Sequence, residues 1–247
     1  MVKEILSENG EMSMNDICLT ISKAAVSAIP YVGGSIASVW SDLESTCVKR
    51  KIERFQELVE ELQKDFEVIK DKVNHDFVSV PDCQDIFEKM SRMVVNERLK
   101  EKRILYKNAY LHSMTAQIVN FDLVERDLRL IEQLNKLEIL LLKIFENPQE
   151  YNKNVGNIIK NPFLDENGNW THSYQRDYFM MEQIMRLMPK EVEIEDVRES
   201  LLFLSQNRIL IDGIEQKQWS TNASPIDIFN DVLTNKGKRF VKRLKDI

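Results

Sequence analysis

Eight apolar residues between Val48 and Val73 repeat with a strict alternation. Val48, Ile52, Phe55, Val59, Leu62, Phe66, Ile69 and Val73 stand 4, 3, 4, 3, 4, 3 and 4 residues apart. That spacing draws one apolar seam along a helix. The residues between are mostly Glu, Lys, Arg, Asp and Gln. The pattern predicts a long helix packed lengthwise on this seam, against the rest of the chain or a second copy, with its other face in water. Val80-Pro81-Asp82 ends the region.

Just before it, Ala24 to Trp40 holds seventeen uncharged residues in a chain that is 30% charged. Small residues recur four apart at Ala24 and Ala28, Gly33 and Ala37, and Gly34 and Ser38. Such spacing lets helix backbones approach closely. Asn15 or Asp16 can cap a first arm, Pro30 biases Ile29 away from helix, and Gly33-Gly34 lets a second arm restart. The expectation is a compact helical hairpin over about residues 16–45, with Trp40 at its end. As one helix, Ala24 to Trp40 would rise about 25 Å, short of a ~30 Å hydrocarbon core. A constitutive span does not fit. A buried structural hairpin and a conditionally inserting arm both stay open.

Helical signals continue downstream. One helix is expected from Asp85 to about Ser113 and another from about Asp122 to Phe145, with Leu123, Leu130, Leu134, Leu137, Leu141 and Ile144 facing a core. Residues 147–171 are rich in Asn, Pro and Gly and read as a linker. Ser173–Leu187 and the segment with Val197, Leu201, Leu202 and Leu204 read as helices, and Arg208–Gly213 as a strand entering a turn. A polar loop and a closing helix from Leu233 follow. The expected fold is mainly α: an N-terminal helical bundle over 1–146, with the apolar hairpin and the heptad helix, then a winged-helix-like domain over 172–247.

Chemistry-bearing patterns are scarce. His75, His112 and His172 lie far apart, and no serine or cysteine sits in a nucleophile context. Cys18, Cys47 and Cys83 have neither metal-ligand nor disulfide-framework spacing. Asp165-Glu-Asn-Gly-Asn places its glycine at the fourth position of a would-be calcium loop instead of the sixth. Gly237-Lys238 lacks the glycine of a phosphate loop. No catalytic residue, metal site, cofactor or small-molecule substrate is expected. Net charge is -6, and the expected recognition region carries Glu191, Glu193, Glu195, Asp196 and Glu199 against Arg198. That is the wrong charge for a phosphate groove. The basic last helix, with Lys236, Lys238, Arg239, Lys242, Arg243 and Lys245, reads as a solvated face.

Three segments, in this order, carry a resemblance. The first is IPYVGGSIASVWSD followed by RKIERFQELVEELQKD. The second is NERLKEKRILYKNAYLHSM followed by LIEQLNKLEILLLKIF. The third is the tail VLTNKGKRFVKRL, with its Leu-Thr-x-x-Gly-x-x-Phe ending. The chain resembles the bacterial abortive-infection alpha family of phage-resistance proteins. The resemblance implies a role in antiviral defence and supplies no catalytic residues. The functional expectation is a non-enzymatic, cytoplasmic defence protein that perturbs the membrane through the 24–40 hairpin on infection. The alternatives are a soluble adaptor for a protein partner or phage component, and a winged-helix DNA-binding regulator.

Overall fold

The computed structural model describes residues 32–46, 49–117, 120–156, 158–159, 176–214, 218–221 and 225–245. It is mainly helical, and it divides into two compact units. One comprises residues 1–133 with 243–247, the other residues 134–242.

In the first unit, α1 (Gly33–Thr46) packs on α4 (Pro81–Asn96) and more lightly on α2 (Lys49–Ile69). The heptad seam lies inward: Ile52, Phe55, Val59, Leu62, Phe66 and Ile69 are all buried along α2, and so is Val73 beyond its end. Val48 lies outside the described residues. This seam meets α4 and α5 (Lys100–Thr115) of the same chain. Trp40 of α1 lies against Phe55 of α2 with ring centroids 6.0 Å apart. A one-turn helix, α3 (His75–Val78), is capped by the Asn74 side chain, which accepts from the amides of Asp76 and Phe77. Pro81 opens α4 at its first turn, where no amide donor is needed.

The single helix expected over 85–113 is two. The chain turns at Glu97–Leu99 without glycine or proline. The Glu97 carboxylate accepts the Leu99 amide at 2.8 Å and pairs with Lys102 at 3.1 Å, so a side chain performs the turn. Likewise, the helix expected over 122–145 is α6 (Phe121–Gln133) and α7 (Lys136–Glu146). Asn135 and Glu138 form a capping box that starts α7 anew.

Helix α5 is packed by α2, α4 and α6, and this packing buries Lys102, Lys107 and Asn108. Each of these three finds a partner, as burial demands. Lys102 donates to the Glu132 carbonyl at 2.7 Å. Lys107 pairs with Asp65 at 2.6 Å and Glu61 at 3.0 Å. Asn108 donates to the Leu244 carbonyl at 2.8 Å, and Arg243 pairs with Asp127 of α6 at 2.6 Å. These two contacts hold Arg243 and Leu244 in the first unit.

The second unit begins earlier than the 147–171 segment. Helix α7 buries Ile139, Leu141, Leu142, Ile144 and Phe145 and packs on α8 (Pro148–Asn154) and α10 (Ile194–Gln206). The chain from Pro148 to Asn154, expected as linker, is that helix α8, and 160–171 lie outside the described residues. A second correction concerns 173–187. Arg176–Phe179 is a strand, β1, paired antiparallel with β2 (Gln218–Thr221), and among the described residues of that segment the helix is Met180–Leu187, α9. A third concerns 208–213. Arg208 takes a left-handed φ of 58°, and among the described residues strand pairing there is a single bridge between Leu210 and Leu233. The last helix, α11, runs Asn235–Leu244.

Candidate acidic groove

Ala24, Ala28 and Pro30 lie outside the described residues. In α1, Val32, Ile36, Val39, Trp40 and Leu43 are buried against the unit's core. Gly34, Ala37 and Ser38 are exposed, and Gly33 is half-buried. A β-carbon on Gly34 would meet nothing within 4 Å. Among the described residues, the contacts of α1 are made by these large side chains, and the first arm of the expected hairpin lies outside the described residues. The ion pairs of Arg92 with Asp42 and Glu88 lie at the surface of this packing. Among the described residues, no helix is long and apolar enough to cross a membrane.

The tail motif has a structural role. Leu233 bridges to Leu210. The Thr234 hydroxyl donates to the carbonyls of Arg208 and Ile209 and accepts the Gly237 amide, starting α11. Gly237 is buried where a β-carbon would collide with the Ile209 carbonyl. Phe240 is buried one turn further on. Leu-Thr-x-x-Gly-x-x-Phe thus locks α11 onto the turn after α10.

With α11 so fixed by its apolar side, its opposite side carries exposed Lys238, Arg239 and Lys242. Lys238 pairs at 2.9 Å with Asp231, itself strongly exposed. Lys236 does not share this face, since its ammonium donates to the Asn207 carbonyl at 2.6 Å.

The second unit also holds a groove of about 580 Å³ between the start of α7 and α10. Leu137, Val192 and Phe203 give it apolar lining. Glu191, Asp196 and Glu199 stand at it with exposed carboxylates, against the single base Lys136. None of the three is held in an ion pair among the described residues. Glu138 also lines the groove, but its carboxylate is engaged by the Asn135 amide and side chain. Ser200 lines it too. It is 3% exposed and its hydroxyl has no hydrogen-bond partner among the described residues. The hydroxyl is not among the buried side-chain atoms that lack a partner; it stands open at the groove, where it can accept a hydrogen bond from an entering donor.

The groove therefore combines apolar walls, three exposed carboxylates and a waiting acceptor. That set suits a long basic side chain, whose methylene stem lies on apolar surface while its charged head reaches the oxygens. Sequence reasoning noted the acids only as wrong for nucleic acid. It missed the groove because α7 had no visible start. The Asn135-x-x-Glu138 capping pattern was the available signal. No family model, curated protein or solved structure matches this chain.

Proposed function

We propose that this chain is a non-enzymatic docking protein of bacterial antiviral defence, acting in the cytoplasm, and that its acidic groove receives a basic segment of a protein partner. The defence role rests on the family resemblance of the three ordered segments. The docking role rests on one observation: Glu191, Asp196 and Glu199, with exposed carboxylates, line one groove together with Ser200 and the apolar Leu137, Val192 and Phe203. The succession of α9, α10, the Leu210–Leu233 bridge and α11 supports reading this region as winged-helix-like. Helix α10 would then stand where a recognition helix does, and its carboxylates favour a cationic partner over phosphate.

The membrane reading comes second, favoured by the uncharged outward face of Gly34, Ala37 and Ser38. Magnitudes rank it below docking. Freeing Val32, Ile36, Val39, Trp40 and Leu43 exposes side chains whose burial is worth roughly 1.5–3 kcal/mol each. The sum rivals the ~5–15 kcal/mol that holds a whole domain folded.

The test is calorimetric binding of an unrelated lysine-bearing helical peptide, with duplex DNA as the contrasting probe. The docking reading expects peptide binding that weakens with salt and disappears in an Asp196→Lys/Glu199→Lys variant, together with loss of phage protection by that variant in cells. Binding of DNA and not of peptide would overturn it in favour of the regulator.

A further inference from the structure

We propose that the occupant of the acidic groove is the basic face of α11 from a second copy of this chain, an inference that rests on the docking reading above. The buried side of α11 is Gly237, Phe240, Val241 and Leu244, which leaves Lys238, Arg239 and Lys242 together in water. Arg239 and Lys242 have no ion pair among the described residues. The Lys238–Asp231 pair joins two exposed groups, and such pairs contribute little and exchange readily.

The two faces match in spacing as well as in sign. Lys238 and Lys242 are one helical turn apart, about 6 Å along the axis. Asp196 and Glu199 are also one turn apart on α10, with Ser200 beside them. One lysine stem would lie along Phe203, Leu137 and Val192, its ammonium donating to the Ser200 hydroxyl and to a carboxylate. The other base would meet the remaining carboxylates at the rim. Within one chain no ion pair joins the α10 acids to the α11 bases among the described residues, so both faces stay available to another copy. Because they are different surfaces, the contact is head-to-tail, and copies add in series.

Sedimentation equilibrium of the full chain tests this. At low salt the wild type should gain mass with concentration, and the gain should vanish at high salt, where exposed charges are screened within about 3 Å at 1 M. Asp196→Lys/Glu199→Lys removes the groove and keeps α11. Lys238→Glu/Lys242→Glu removes the basic face and keeps the groove. Each variant alone should be a monomer. An equal mixture should gain mass again, because the basic α11 of the first variant meets the acidic groove of the second and the two charge-reversed faces are also opposite in sign. That gain also shows that both variants are folded. A wild type that stays monomeric at low salt overturns the proposal, and so does a mixture that stays monomeric. In that event, continued binding of the unrelated basic peptide leaves the docking reading standing with another partner, and its absence removes both.

Discussion

The backbone carbonyl of Ile209 occupies the space where a side chain at Gly237 would begin. The contact is carbonyl against helix, so neither party can rotate away. Gly237→Ala gains up to about 1 kcal/mol of helix propensity. The overpacking term, typically 1–3 kcal/mol, wins here because the obstacle is backbone. The variant should lower the denaturation midpoint of the second unit. An unchanged or raised midpoint would show that α11 is not locked at Ile209.

Leu62 is 1% exposed at the middle of the α2 seam. Leu62→Ala should cost about 2–5 kcal/mol in chemical denaturation. Val68, on the same helix but 63% exposed, is the control. Val68→Ala should stay within about 0.5 kcal/mol of wild type. Equal losses at both positions would contradict the inward seam.

The buried Lys107 ammonium supplies a pH dependence. Burial pushes its pKa down, but hydrogen bonds and charge from Asp65 and Glu61 outweigh this, and the net direction is up. A folded-state value above the unfolded one means that the pair contributes stability below the ordinary lysine value of about 10.4. That contribution disappears as pH rises through the folded value. Burial also raises Tyr106 and Tyr110, which weakens the fold in the same alkaline range. The difference between wild type and Lys107→Met isolates the lysine. The variant should be less stable at neutral pH, and the gap in melting temperature should narrow as pH climbs beyond that value. A gap that stays constant to high pH would remove the ion pairs from the account.

The α2 seam was legible because a regular apolar repeat has one geometric solution once it faces a core. The breaks at Glu97 and Asn135 were not, because each is made by a side chain reaching its own backbone and neither needs glycine or proline. The packing of the arm from Gly33 on the helices described here was not legible from its small residues. Small residues permit close approach but do not compel it, and Ile36, Val39 and Trp40 offered more area to bury. Strand β1 was missed because its partner β2 lies about forty residues away, and pairing over that distance leaves no local mark. The acids of the groove were visible as a charge run. Their meeting with Leu137 and Ser200 required knowing that α7 packs on α10.

Ala37 separates docking from membrane insertion more cleanly than its neighbour Ile36. Ile36 is fully buried, so Ile36→Lys places a charge in the core and is expected to unfold the unit. Ala37 is exposed on the same helix. A lysine there meets water in the packed state, and its effect on stability should stay within about 0.5 kcal/mol. In an arm that enters the bilayer, the same lysine would cost about 2.5–3.5 kcal/mol at the centre of the span. The docking reading expects Ala37→Lys to match wild type in melting temperature, in peptide binding and in protection of cells against phage. Plaque counts and dye leakage from liposomes check it together. A folded Ala37→Lys protein that still binds peptide but no longer protects, while the wild type makes liposomes leak, would put the membrane mechanism in place of docking.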